Sequence, residues 1–160
     1  MRKIAFVTMF LTLFSCFNAY AAEGPTLLEL RNEIFDESRA IKLLLPNSRK
    51  DLIFMNSMWD SCIATMMQID AYFNMLGIFN TIKKESVTED AVKYIADWLN
   101  TMKTTNTLTI KNLDAMSSKQ IENNTRLHVQ RMTEFYTGLN KRIDTELKGV
   151  LALKATAKKR

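Results

Sequence analysis

Leu52, Met55, Trp59, Cys62, Met66, Ile69, Phe73 and Leu76 follow one another in alternating steps of three and four. Apolar residues at that spacing fall on one face of an α-helix. An unbroken seam of this length is explained economically only by burial against other helices. The rest of the chain offers such partners. Four Ser/Thr residues are followed three positions later by an acid or amide: Thr26/Glu29, Ser48/Asp51, Ser86/Glu89 and Ser117/Gln120. A hydroxyl there accepts from an orphan amide of the first helical turn, and the later side chain bonds back.

The expected first helix runs from Leu27 to Leu45, with Leu27, Leu30, Ile34, Ile41 and Leu45 on one stripe, and stops at Pro46. The seam is the second helix, with Gly77 loosening its last turns. The third follows Ser86 and buries Val92, Ile95, Leu99 and Met102, with Trp98 beside them. The fourth starts near Ser118 and uses Ile121, Leu127, Met132, Phe135, Leu139, Ile143 and Leu147. Gly149 is its expected end, with Val150 to Leu153 as the alternative extension. Thr104 to Thr109 has poor helix propensity and is expected to be a kinked or frayed helix or a loop. Short turns at 46–48 and 84–86 make neighbours antiparallel. The predicted fold is therefore all-α, an up-down antiparallel bundle of about four helices over residues 22–153. With four Gly and two Pro among 160 residues, a turn-dense β-sandwich is excluded.

Residues 1–21 read as a signal peptide. Arg2 and Lys3 precede an eleven-residue apolar run, Ile4 to Phe14, and Ala19-Tyr20-Ala21 offers small residues for cleavage after Ala21. The run is short of the roughly 20 residues that cross a bilayer, and no second stretch reads as a membrane span, so export to the periplasm or beyond is expected. A competing reading takes Leu13-Phe14-Ser15-Cys16 as a lipobox, with the protein anchored through an acylated Cys16. Cleavage at Ala21 leaves Cys62 as the one cysteine and rules out an internal disulfide.

The chain carries 22 basic and 17 acidic residues, but the excess lies at its ends. Removing the leader and the basic tail of residues 154–160, with Lys154, Lys158, Lys159 and Arg160, leaves 16 basic against 17 acidic groups. No basic face follows a phosphate backbone, so nucleic acid is not an expected partner. The tail is read as a solubilising end, with weak contact to an anionic surface as the alternative.

Motifs for chemistry are sparse. There is no Gly-rich phosphate loop, Cys-x-x-Cys, haem-attachment or His-Glu-x-x-His motif. The one histidine, His128, lies beside an apolar stripe and has no matched nucleophile, and a haem held by Met and His128 is selected by no spacing rule. Glu29, Glu33, Asp36 and Glu37 form an acidic face on the first helix, with Arg31, Arg39 and Lys42 near enough for ion pairs. Met55, Met58, Cys62 and Met66 put four sulfurs on one side of helix two. Soft sulfur ligands suit Cu(I), although three of the four are also seam positions. These observations favour an exported, non-catalytic bundle with no cofactor that binds another protein as a periplasmic accessory, inhibitor or assembly factor. Tyr94 and Trp98 are the expected recognition edge. The alternative is a carrier of Cu(I) or a small apolar ligand on the Met/Cys face.

Overall fold

The computed structural model describes residues 24–47, 50–81 and 89–157. The leader, including Cys16 and the cleavage site, lies outside the described residues. So do the serines of two expected caps, Ser48 and Ser86, and the tail residues Lys158, Lys159 and Arg160. Among the described residues there are four α-helices, α1 (Leu27–Leu44), α2 (Leu52–Thr81), α3 (Glu89–Ser117) and α4 (Asn123–Ala157), with a 3-10 turn over Leu45–Asn47 and no strand. The protein is an all-α bundle.

α1 begins with the capping box read from sequence. Thr26 Oγ1 accepts from the Glu29 amide at 3.2 Å, and Glu29 Oε2 accepts from the Thr26 amide at 2.7 Å. Those bonds hold the Glu29 carboxyl below its ordinary range. Leu27, Leu30, Ile34, Ser38 and Ile41 form its buried stripe. Pro46 sits in the 3-10 turn that follows, where its missing N–H costs no helical bond.

The helices form a ring in which α1 and α3 each lie beside α2 and α4. Arg31 of α1 meets Asp70 of α2, while Lys42 lies over the Trp59 ring, so α1 and α2 run antiparallel. Lys103–Asp144 and Asn106–Asn140 show the same for α3 and α4. α2 and α4 are parallel across the core. Asp51 Oδ2 accepts from the Glu122 amide at 2.7 Å, Tyr136 reaches Thr65 at 2.9 Å, and Tyr72 donates to Glu146 at 3.0 Å.

The seam of α2 differs from the sequence expectation by a rotation. Its buried positions are Asp51, Met55, Met58, Cys62, Thr65, Ile69 and Tyr72, with Met66 beside them. Met55, Cys62 and Ile69 belong to both series. The intervening positions are Met58, Thr65 and Tyr72 rather than Trp59 and Phe73, while Met66 stays buried as expected. Leu52 is 43 % exposed, and Trp59, Phe73 and Leu76 are only partly buried against the core. Polar Thr65 hid this series from a reading of apolar spacing, and Tyr136 supplies the partner that lets Thr65 be buried.

Three further expectations change. The Thr104–Thr109 segment is continuous helix. Thr104, Thr107 and Thr109 donate their hydroxyls to carbonyls four residues earlier, at 2.9, 2.8 and 3.1 Å, which satisfies them without opening the helix. Buried Met102, Asn106 and Leu113 then hold this stretch in the core, overriding propensity. Ser117 does not start a helix: it ends α3 with its hydroxyl on the Asp114 carbonyl. α4 begins instead at Asn123, with the Arg126 amide on the Glu122 carbonyl. Leu127 is 44 % exposed, and His128 and Val129 take the buried places. α4 also passes through Gly149 to Ala157, into the segment read as a tail.

By length and composition, Leu52–Phe79 is a helix apolar enough to cross a membrane, with a mean hydropathy of 1.2, contrary to the expectation that no second such stretch exists. In this fold it meets all three other helices, as α4 also does.

The two registers of α2 are separable by substitution. Met58→Ala should cost about 2–5 kcal/mol through lost burial and a residual cavity, whereas Leu52→Ala should stay within about 0.5 kcal/mol. Urea midpoints measure both, and equal losses would restore the seam through Leu52 and Trp59.

Candidate functional site

Two chemically capable side chains flank Glu37 of α1: His128 of α4, which it bonds, and Cys62 of α2, whose thiol feels its charge. His128 Nδ1 lies 2.5 Å from Glu37 Oε1. A carboxylate accepts, so the ring nitrogen facing it carries the proton. The two side chains are 6 % and 14 % exposed. Arg131, one turn along α4 and on the solvent side, approaches the other carboxylate oxygen at 3.9 Å. The place of His128 beside the apolar stripe of α4 is a local feature, whereas its pairing with Glu37 spans 91 residues and leaves no local signal.

The Cys62 thiol is fully buried. Burial, reinforced by the nearby negative charge of Glu37, pushes it up to about 12. A thiolate is the reactive form of cysteine, so Cys62 is a poor nucleophile near neutrality despite its neighbours. The buried Tyr72 and Tyr136 hydroxyls are also pushed upward, chiefly by burial. Tyr136 donates to the Ser61 carbonyl at 3.1 Å and contacts Thr65, and Tyr72 is bonded to Glu146. These groups hold the bundle together.

Beside the Glu37–His128 pair a groove of about 370 Å³ opens between α1 and α4. Pro25, Leu30, Glu33 and Glu37 line one side, and Arg131, Glu134, Phe135 and Gly138 the other. Leu30 and Phe135 are core residues, so the floor is apolar and the rim charged. A Cβ at Gly138 would meet nothing within 4 Å, so the bare backbone there opens space rather than admitting a close helix. The acidic face foreseen on α1 divides. Glu29 is committed to the cap and Glu37 to His128, while Glu33 faces the groove.

Met55, Met58, Cys62 and Met66 are all buried in the bundle core, and none lines the groove. Among the described residues no group of three or more His, Cys, Asp or Glu side chains is arranged to hold a metal ion. Tyr94 and Trp98 part company. Tyr94 is 60 % exposed, whereas Trp98 packs on the core and donates its indole N–H to the Gln68 carbonyl at 3.3 Å. Trp98 is thus a joint between α3 and α2, and the expected recognition edge reduces to Tyr94.

Compared with protein-family models, curated proteins and solved structures, the chain matches none.

The buried acids give a pH test. Cys62 titrates higher folded than unfolded, so its contribution to stability is complete below the unfolded value near pH 9 and is lost as pH rises toward 12. Tyr72 and Tyr136 add to the loss above about pH 10. Urea midpoints should therefore fall between pH 8 and 11 (about three units of alkaline range), and native labelling of Cys62 at neutral pH should be slow. A flat midpoint with fast labelling would place the thiol in solvent.

Proposed function

We propose that this is an exported, non-catalytic helical bundle that binds another protein, acting in the periplasm or outside the cell after its leader is cut behind Ala21. The observation that carries this reading is an apolar strip on the outer side of the α1–α2 pair. Leu28 and Phe35 stand exposed two helical turns apart on α1, one turn to either side of Arg31. Arg31 binds Asp70 of α2 through two hydrogen bonds, at 2.7 and 2.9 Å. Met67, 67 % exposed, lies one turn before Asp70 and so stands level with Phe35 in the antiparallel pair.

Apolar side chains gathered around a fixed ion pair suit an amphipathic helix of a partner, which would lay its own apolar face along the strip. Arg39, over the Phe35 ring at 5.8 Å, keeps that ring oriented and adds a positive rim. The buried thiol and the paired histidine support binding over catalysis. The Met/Cys face supports the alternative carrier of Cu(I) or a small apolar ligand less well, since its sulfurs are packed in the core.

The test is intact mass and site-specific photo-crosslinking in the exporting cell. A mature start at Ala22 is expected, and a lipidated Cys16 would replace the soluble form with an anchored one. A crosslinker at Met67 should capture one discrete partner, and Phe35→Glu should remove that adduct. Crosslinking at Met67 and Tyr94 no stronger than at exposed Thr105 would overturn the binding reading. Stoichiometric withdrawal of Cu(I) from a chromogenic chelator would replace it with the carrier.

A further inference from the structure

The end of the bundle where α1 and α3 finish and α2 and α4 begin is tied by the Asp51 carboxylate on the Glu122 amide. It carries the two most exposed large apolar side chains among the described residues, Ile53 at 82 % and Leu43 at 77 %, and Leu52 and Leu127 are exposed at the same end. Its charge is basic. The last two turns of α1 and α3, the first two of α2 and α4 and the described parts of their connections contain Arg39, Lys42, Lys50, Lys111, Lys119 and Arg126. The acids there are fewer: Asp51 is buried on Glu122, Glu122 is half-buried, and Asp114 is exposed. None of the basic side chains forms an ion pair with a described acid. Lys42 and Lys119 instead lie 5.0 Å over the Trp59 and Phe54 rings, which fixes two of the charges at this end. The opposite end has the reverse bias. Among the described residues its terminal turns hold Glu29, Glu33, Glu89 and Asp90 against Arg31, Lys93 and Lys154.

We propose that this basic end docks on an anionic lipid bilayer, with Leu43 and Ile53 entering the acyl boundary and the lysines and arginines lying among the phosphate headgroups. Charge complementarity selects the surface. Basic side chains close to a negatively charged leaflet each add to the attraction, and aliphatic side chains that project past them enter the layer beneath. Shape selects a bilayer over a folded partner. The groove between α1 and α4 lies elsewhere, and none of these residues lines it. Leu43 and Ile53 project from two helix ends, and a fluid layer receives such side chains without a matching pocket. The contact is separate from any made by Lys154 and the residues after it, because α4 ends on the other side of the bundle. It does not rest on the protein-binding reading either. Leu28, Phe35 and Met67 lie along the side of the α1–α2 pair, so a bilayer at the end leaves that strip facing solution.

The experiment takes the chain as the cell processes it and measures cosedimentation with vesicles of phosphatidylglycerol and phosphatidylcholine in equal parts, and of phosphatidylcholine alone. At low salt, binding to the anionic vesicles should be at least about tenfold tighter. Lys50→Gln/Arg126→Gln removes two charges that lie over no ring and should weaken it about thirty-fold, at roughly fivefold per charge. Leu43→Ser/Ile53→Ser should weaken it at least about tenfold. All four side chains are exposed, so both variants should keep the unaltered urea midpoint, which is measured first. An environment-sensitive dye on Ile53→Cys should shift to the blue on anionic vesicles, with Cys62 shielded in the core. The same dye on Ile78→Cys, exposed near the other end of α2, should not shift. No binding, equal binding to both kinds of vesicle, binding unchanged in either double variant, or a dye shift at Ile78 as large as at Ile53 would overturn the proposal. So would equally tight binding of soluble polyglutamate, which would assign the basic end to an acidic protein.

Discussion

Thr65 occupies a core position of α2 where an apolar residue would ordinarily sit, and the bundle depends on how that hydroxyl is satisfied. It donates to the Ser61 carbonyl at 2.8 Å and meets the Tyr136 hydroxyl at 2.9 Å, while Tyr136 also reaches the Ser61 carbonyl at 3.1 Å. Two hydroxyl protons serve three short contacts, so the arrangement works only with α2 and α4 in one register. Sliding either helix by a turn would bury the Tyr136 hydroxyl without partners, at about 1–3 kcal/mol, while Thr65 would keep only the carbonyl of its own helix. Apolar seams alone tolerate such slips. Tyr72–Glu146, with Glu146 gripped by Arg142, and Asp51–Glu122 repeat the same device toward the two ends of the pair.

That device explains what could and could not be read from the chain. The fold class was legible because apolar spacing and the Thr26/Glu29 box are local signals, and both are realised. The face of α2 was legible only to within a rotation. Trp59 and Phe73 are the more hydrophobic choice, but Thr65 and Tyr72 are the ones that Tyr136 and Glu146 can reach. Whether a threonine is buried depends on a partner 71 residues away, which no window of a few turns contains. The threonine run of α3 was misread for a related reason. Its propensity is poor, but its hydroxyls fold back onto their own helix and Asn106 is held by Asn140 across the α3–α4 joint. Asp51, three residues after Ser48, reaches across the bundle, and its carboxylate tethers the start of α4.

The candidate site carries the same lesson at higher chemical stakes. Glu37, Cys62 and His128 are the residue types of a nucleophilic triad, and no local pattern marks Glu37 as the neighbour of the other two, which stand 25 and 91 positions away. The carboxylate is bonded to the ring, and both its charge and burial hold the thiol protonated. A reactive cysteine needs a positive, accessible surrounding, and this one has the opposite. Sulfur therefore serves α2 as packing volume, which is also the simplest account of Met55, Met58 and Met66.

What distinguishes the four helices is how firmly each is held. α3 and α4 share the longest joint, laced by Lys103–Asp144 and the Asn106–Asn140 pair, and α2 is pinned to α4 by buried hydroxyls. α1 is the shortest, with 18 residues, and its polar ties to α2 are the part-exposed Arg31–Asp70 bridge and Lys42 over Trp59. Exposed ion pairs of that kind contribute about 0–1 kcal/mol each. Its deep polar tie is Glu37 to His128, at the inner edge of the acidic groove. The same helix carries Leu28 and Phe35 outward, so the seating of α1 governs the groove and the exposed apolar strip together.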